Sequence, residues 1–406
     1  MPWKETCAVR ERMRFVSEWE RDEVSFSELC RRYVISRETG YTWRARYEAE
    51  GPTGLDDRSR ARHTQAHATS AAVVAAIVAL RGSHPSWGPK KLRAKLKARN
   101  PEMILPALST LGDLLSRRGL VVPRRTRLRV PTSATGLRAC TAANDVWGID
   151  FKGWFRTGDG RRCEPLSLSD LTTRYVLRLQ AVEHTHFKAV WPLLDAAFRE
   201  FGLPRAIRSD NGQPFASVGA GGLSRLAVNL IKAGVVPERI APGRPQQNGR
   251  QERLHLTVKL ETASPPASTW RAQQRRFDAF TRMFNEERPH EALDQTTPAT
   301  HYQASPRRYG LLRSPEYGDG DEVRRVRPRG DVPWRGRYVF ISEALAGEPI
   351  AFTPIVDDRW RVRYADVELG AIDSKGNFET RRSGACPRAA KPPAPPGGKS
   401  VNHVPG

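Results

Sequence analysis

Asp150, Asp210 and Glu252 are the residues of this chain whose types and settings could do chemistry. Asp150 lies in Trp147-Gly-Ile-Asp-Phe-Lys152, a short apolar run that reads as a buried strand. Asp210 follows Ala206-Ile-Arg-Ser209 and precedes Asn211-Gly212, a strand running into a tight turn. Glu252 stands in Gln247-Asn-Gly-Arg-Gln-Glu-Arg-Leu-His255, at the start of a helical pattern after a Pro-rich entry. Two carboxylates at strand ends and one on a helix can converge on two hard divalent cations. Oxygen ligands suit Mg²⁺, with Mn²⁺ able to substitute. Such a pair supports in-line phosphoryl chemistry.

Other groups compete for this site. Asp170 ends a strand in Ser167-Leu-Ser-Asp-Leu-Thr-Thr-Arg174, close in sequence to the Asp150 hairpin. Glu261 lies nine residues after Glu252. At about 100° per residue this is roughly 900°, which puts Glu261 on the opposite helix face. Lys259, seven residues on, returns to within roughly 20° of the direction of Glu252. Asn248 is near the same face, so Lys259 and Asn248 are candidate DNA contacts beside the metals. His184, His186, His255 and His290 lack zinc-ligand spacing, and His255 reads as a surface histidine at the rim. Serine-hydrolase and P-loop signatures are absent. Gly219-Ala-Gly-Gly222 lacks dinucleotide-loop spacing and reads as a loop insertion within the 41 residues between Asp210 and Glu252.

Ser209-Asp-Asn-Gly-Gln-Pro-Phe215, Pro242-Gly-Arg-Pro-Gln-Gln-Asn-Gly-Arg-Gln-Glu252 and Asn285-Glu-Glu-Arg-Pro-His-Glu-Ala-Leu293 with Thr297-Pro298 follow Asp150 in order. Over residues 140–306 the chain resembles the catalytic core shared by insertion-sequence transposases and retroviral integrases, the DDE family. The resemblance implies a ribonuclease-H-like α/β core. It implies a DNA transposase that binds the terminal inverted repeats of a mobile element and carries out strand cleavage and strand transfer. Asp150 would bridge two metal ions, with Asp210 and Glu252 each completing one. Water as nucleophile gives cleavage, and a DNA 3′-hydroxyl gives strand transfer. The family has an acidic residue at the position of Asp170 without catalytic duty. It also implies a homo-oligomer, because two DNA ends are handled together. Two other readings are a catalytically inactive, sequence-specific DNA-binding regulator and a ribonuclease-H-like nuclease without strand transfer. The zinc-binding His/Cys module at the start of retroviral integrases has no counterpart spacing here.

The elements around this core define a multidomain α+β chain. Residues 1–50 read as three helices (Cys7–Trp19, Phe26–Tyr33, Arg37–Tyr47) in a helix-turn-helix pattern, with Trp43 as a core anchor. Arg37, Thr39, Tyr41 and Arg44 would face double-stranded DNA; a plain three-helix bundle is the competing reading. A Gly/Pro/Arg-rich linker covers 51–69. Residues 70–122 form a second helix-turn-helix module, whose Lys90 and Lys91 are candidate DNA contacts. Its last helix is closed by Gly119. A basic connector, 123–143, brings Arg124 and Arg125, read either as phosphate contacts or as a solvated linker. The core occupies 144–306. Short β-rich runs over 325–381 suggest a small C-terminal β-barrel, and the Pro-rich, acid-free tail 382–406 reads as disordered.

Composition fits this plan. The 406 residues hold 67 Lys+Arg against 44 Asp+Glu, a net charge of +23. Twelve basic residues and two acidic ones lie between Gly88 and Arg129, so a polyanionic partner is expected. No apolar run is long enough for a transmembrane helix, so no membrane association is expected. Five scattered cysteines read as reduced. The expected setting is the bacterial cytoplasm, in association with the nucleoid.

Overall fold

The computed structural model describes residues 7–58, 68–121, 137–355 and 358–380. Arg124 and Arg125 of the basic connector, and the tail 382–406, lie outside the described residues. The chain divides into two compact units, Met1–Ala68 and Thr69–Gly406.

The first unit holds α1 (Ala8–Glu20), α2 (Phe26–Arg32) and α3 (Arg37–Glu50). Serines start the last two helices. Ser25 Oγ accepts from the Glu28 N–H at 3.4 Å, and Ser36 Oγ from the Thr39 N–H at 3.1 Å. Each satisfies a donor that a helix N-terminus leaves unpaired. Phe15, Val16, Leu29, Cys30 and Leu55 form the buried core. Trp43, the expected core anchor, packs against this core. It is half-buried, with the guanidinium groups of Arg12 and Arg46 at 3.9 and 4.5 Å from its ring.

The second unit opens with α4 (Ala71–Ser83), α5 (Pro89–Arg99) and α6 (Leu108–Arg117). Val73, Ile77, Trp87, Leu92, Leu111 and Leu115 fill the space between them. A buried Leu or Ile contributes about 1.5–3 kcal/mol. Gly119, at φ +68°, ends α6 as expected: the Gly119 N–H reaches the Ser116 carbonyl and the Leu120 N–H the Leu115 carbonyl.

The core is a mixed sheet of β1 (Val146–Phe151), β2 (Phe155–Arg156), β3 (Arg162–Asp170), β4 (Val176–Val182), β5 (Ala206–Ser209) and β6 (Val236–Arg239). β3 pairs antiparallel with β1, β2 and β4, while β1, β5 and β6 run parallel. α7 (Phe187–Phe201) and α8 (Arg225–Lys232) cover one face through Val190, Leu194, Phe198, Leu226 and Leu230. α9 (Gly249–Thr262) and α10 (Trp270–Arg282) cover the other through Leu254, Val258, Phe277 and Phe280. Gly148 sets how closely α9 approaches. A Cβ there would stand 2.5 Å from Gln251 Nε2 and 2.7 Å from a Leu171 methyl, so the strand carrying Asp150 can lie against the helix carrying Glu252.

The C-terminal strands differ from the expected barrel. β7 (Glu322–Arg325), β10 (Pro349–Pro354), β11 (Arg359–Tyr364), β12 (Val367–Asp373) and β13 (Phe378–Thr380) form an antiparallel sheet in the order β13-β12-β11-β10-β7. β8 (Asp331–Trp334) and β9 (Arg337–Phe340) pair only with each other. Among the described residues no ladder joins β7 to β13, so the sheet is open. Its apolar side is instead closed by packing. Val332, Trp334 and Val339 of the hairpin join Val362, Tyr364 and Leu369 in one core with Ala220, Leu223 and Val228. The Gly-rich stretch read as a loop insertion is therefore a seat for this sheet. Gly221, at φ +64°, would bring a Cβ to 3.0 Å from Leu369 and Val367. Among the described residues no helix is long and apolar enough to cross a membrane.

Candidate active site

Asp150 points from β1 into the space under the first turn of α9. Its Oδ2 accepts a hydrogen bond from Asn248 Nδ2 at 2.7 Å. His255 Nδ1 stands 3.7 Å from the same oxygen, and His255 Nε2 is 2.7 Å from Ser167 Oγ. Ser167 is the β3 residue in register with Asp150. Asp210 follows β5 and uses Oδ1 to accept the Gly212 N–H at 3.0 Å, an Asx-type turn. Glu252 sits in the first turn of α9 and is exposed. Burial, then the charge of Asp210, with a further contribution from Glu252, push the Asp150 carboxyl up to about 7. Asp150 therefore lies within the field of both other carboxylates, offset in part by hydrogen bonds from the Phe151 N–H and from Asn248.

An all-oxygen donor set carrying excess negative charge has the chemistry of a hard-cation site. As the side chains stand, however, no group of three His, Cys, Asp or Glu among the described residues is arranged to hold a metal ion. Glu252 is exposed on the helix surface.

Sequence comparisons bear on the same elements. A helix-turn-helix domain family matches residues 11–63, a homeodomain-like domain family residues 39–115, and an integrase core domain family residues 233–298. The chain is 29% identical over 231 residues to the insertion element IS476 uncharacterized 39.2 kDa protein of Xanthomonas euvesicatoria, covering 56% of this chain. It is 31% identical over 183 residues to the insertion element IS407 uncharacterized 31.7 kDa protein of Burkholderia multivorans, covering 45% of this chain. The chain spans 64% of the length of each of these relatives. The chain is therefore similar to insertion-element proteins, and it carries matches to helix-turn-helix and integrase core domain families. The integrase catalytic core domain of HTLV-2, solved in complex with magnesium, aligns at 13% identity and a TM-score of 0.29, over 40% of this chain and 98% of that one. Glu252 lies inside the matched integrase segment, while Asp150 and Asp210 precede it.

Several residues take roles other than those expected. Asn248 is buried and donates its amide to Asp150, so it positions that carboxylate. His255 is not on the surface: burial, with Lys152 nearby, pushes it down to about 4, so it is neutral between Ser167 and Asp150. Its i+3 spacing from Glu252 was visible in the sequence, but the register that puts Ser167 opposite Asp150 was not. Lys259 is exposed, as its phase predicts. Arg37 and Tyr41 are exposed on α3. Arg44 is held by Glu48 at 2.8 Å and lies over the Trp19 ring, which leaves it poorly placed to read a base. Lys90 pairs with Glu291, and Lys91 faces a cavity described below.

Asp170 is fully buried and fully used. Oδ1 accepts from the N–H groups of Thr172 and Thr173 and from Thr173 Oγ1, and Oδ2 accepts from the Asn144 N–H. The residue ties the turn after β3 to the start of β1. Asp170→Asn, expected from sequence to be silent, should instead destabilise the core. It would set an amide against backbone donors, at a cost of about 1–3 kcal/mol for each group left unpaired. A urea melt reads this directly, and an unchanged midpoint would refute it.

Proposed function

We propose that this chain is a DNA transposase. It binds the terminal inverted repeats of a mobile element through its helix-turn-helix modules. It then cleaves and transfers DNA strands at Asp150, Asp210 and Glu252. The observation that supports the reading is the buried Asp150 carboxylate on β1, which feels the charges of Asp210 and Glu252, on a strand that Gly148 lets α9 approach closely. Divalent cations held there by the three carboxylates would supply an activated water or 3′-hydroxyl and offset charge on the leaving oxygen. Asn248 fixes the Asp150 carboxylate, Ser167 and His255 back it, and Lys259, about two helical turns beyond Glu252, meets a phosphate of the same DNA strand. Double-stranded DNA is the partner, a homo-oligomer the working form, and the nucleoid the setting.

The test is nicking of a duplex carrying the element's ends. Mg²⁺ or Mn²⁺ should support it, and a chelator should remove it while end binding persists. Binding without nicking at any metal concentration would favour the second reading, a DNA-binding regulator.

A further inference from the structure

A cavity of about 670 Å³ lies between α5, the segment after residue 137, the start of α9 and the turn around His290. Lys91, Arg174, Arg250 and Arg253 line it. Among the described residues no carboxylate pairs with any of the four, although Arg250 donates to the Leu171 carbonyl. The carboxylates on its wall are engaged elsewhere: Asp170 by four donors and Glu291 by Lys90. His290 also lines it, and its buried Nε2 has no hydrogen-bond partner. Lys91 and Arg174 are half-buried and Arg250 and Arg253 exposed at the cavity mouth, and like charges gathered this closely are costly unless an opposite charge enters. The cost is visible in two groups. Burial, then Arg288, push the Lys91 amine down to about 8. Burial, then Arg250 and Arg253, push Arg174 down to about 10.

Two further observations narrow the ligand. Asn248, which holds Asp150, is also part of the cavity wall, so the cavity opens beside the proposed cleavage site. Its volume falls within the ~300–1,000 Å³ of small-ligand sites. A cavity of this size takes a few nucleotides of one strand and not a duplex. We infer that this cavity binds the phosphodiester backbone of a single DNA strand as it leaves the Asp150 site. The inference deepens the transposase reading and rests on it for the identity of the strand. The binding chemistry itself is a phosphate anion held by guanidinium groups, which present planar paired donors.

Cys140, a free thiol on the same wall, reports occupancy in the intact chain, and exposed Cys7 serves as reference. The alkylation rate of each cysteine is measured by peptide mass spectrometry with oligothymidylate, with an end-carrying duplex, or with inorganic pyrophosphate. Oligothymidylate should slow Cys140 several-fold and leave Cys7 unchanged. Arg174→Gln with Arg253→Gln should abolish that protection. The salt slope of oligothymidylate binding should fall by roughly 0.7 for each phosphate no longer neutralised. Arg271→Gln with Arg275→Gln, exposed on α10, is the control and should leave Cys140 protection intact.

An unchanged Cys140 rate in the wild-type chain overturns the inference, whatever the variants do. Protection by pyrophosphate but not by oligothymidylate assigns the cavity to a free anion and overturns the strand. Protection by the duplex alone also overturns it. Metal-dependent nicking is scored separately. A chain that protects Cys140 but never nicks keeps the cavity and loses the transposase reading. A chain that nicks without protection does the reverse.

Discussion

Asp150→Asn should leave the chain bound to the ends of the element and unable to cut them. The substitution keeps shape and volume and retains an acceptor, but removes the charge that draws a hard cation. Nicking should fall to the no-metal background. End binding by the helix-turn-helix modules should change by less than about twofold. The same variant should be more stable than the parent in a chelating buffer. Asp150 is mostly buried beside the charges of Asp210 and Glu252, and removing its charge relieves that repulsion. The melting temperature should rise by roughly 2–4 °C for each kcal/mol recovered. Lost activity with gained stability is the signature of a strained functional group. Retained nicking would remove Asp150 from the site. A lowered melting temperature would show that its charge is structurally compensated, as that of Asp170 is.

Much of this site was legible because its parts are local. A strand, a turn and a helix start each declare themselves within a few residues, so the elements that carry Asp150, Asp210 and Glu252 could be read from sequence. The phase of α9 was legible for the same reason: Lys259 is exposed while Leu254, Val258 and Thr262 are buried. What failed depended on pairing between distant segments. His255 and Asn248 were read as rim or DNA contacts because nothing local says that Gly148 lets α9 close on β1. Gly219–Gly222 was read as a loop because its partners, Val367 and Leu369, arrive some 150 residues later. The expected barrel came from counting strands. Closure depends on whether the first and last strands pair, and here the sheet shares its apolar side with α8 instead. β6, α8 and α10 went unread: one strand too short for a pattern, and two helices whose buried faces show only against the sheet.

Glu261→Lys should unfold or loosen the second unit, although helix phase alone suggested a silent change on the far face of α9. That face is occupied. Glu261 Oε1 accepts from Arg288 Nη1 at 2.6 Å and from Ser86 Oγ, so one carboxylate joins α9, the turn after α10 and the loop before α5. Arg288 is buried, with 8% of its side chain exposed against 18% for Glu261. Breaking a buried pair by removing one partner costs about 3–5 kcal/mol, since the remaining charge stays out of water. The lysine adds a cation where Arg288 already acts on Lys91. The urea midpoint should drop, and proteolysis should cut more readily around α4–α6, whose core also rests on Met283. Glu261→Gln should cost less, because it keeps an acceptor for Ser86 and Arg288. Adding Arg288→Glu to Glu261→Lys should recover part of the loss, because the pair re-forms with reversed signs. An unshifted midpoint in Glu261→Lys would show that the pair holds nothing together. Loss of nicking at a normal midpoint would move Glu261 into the catalytic set in place of Glu252.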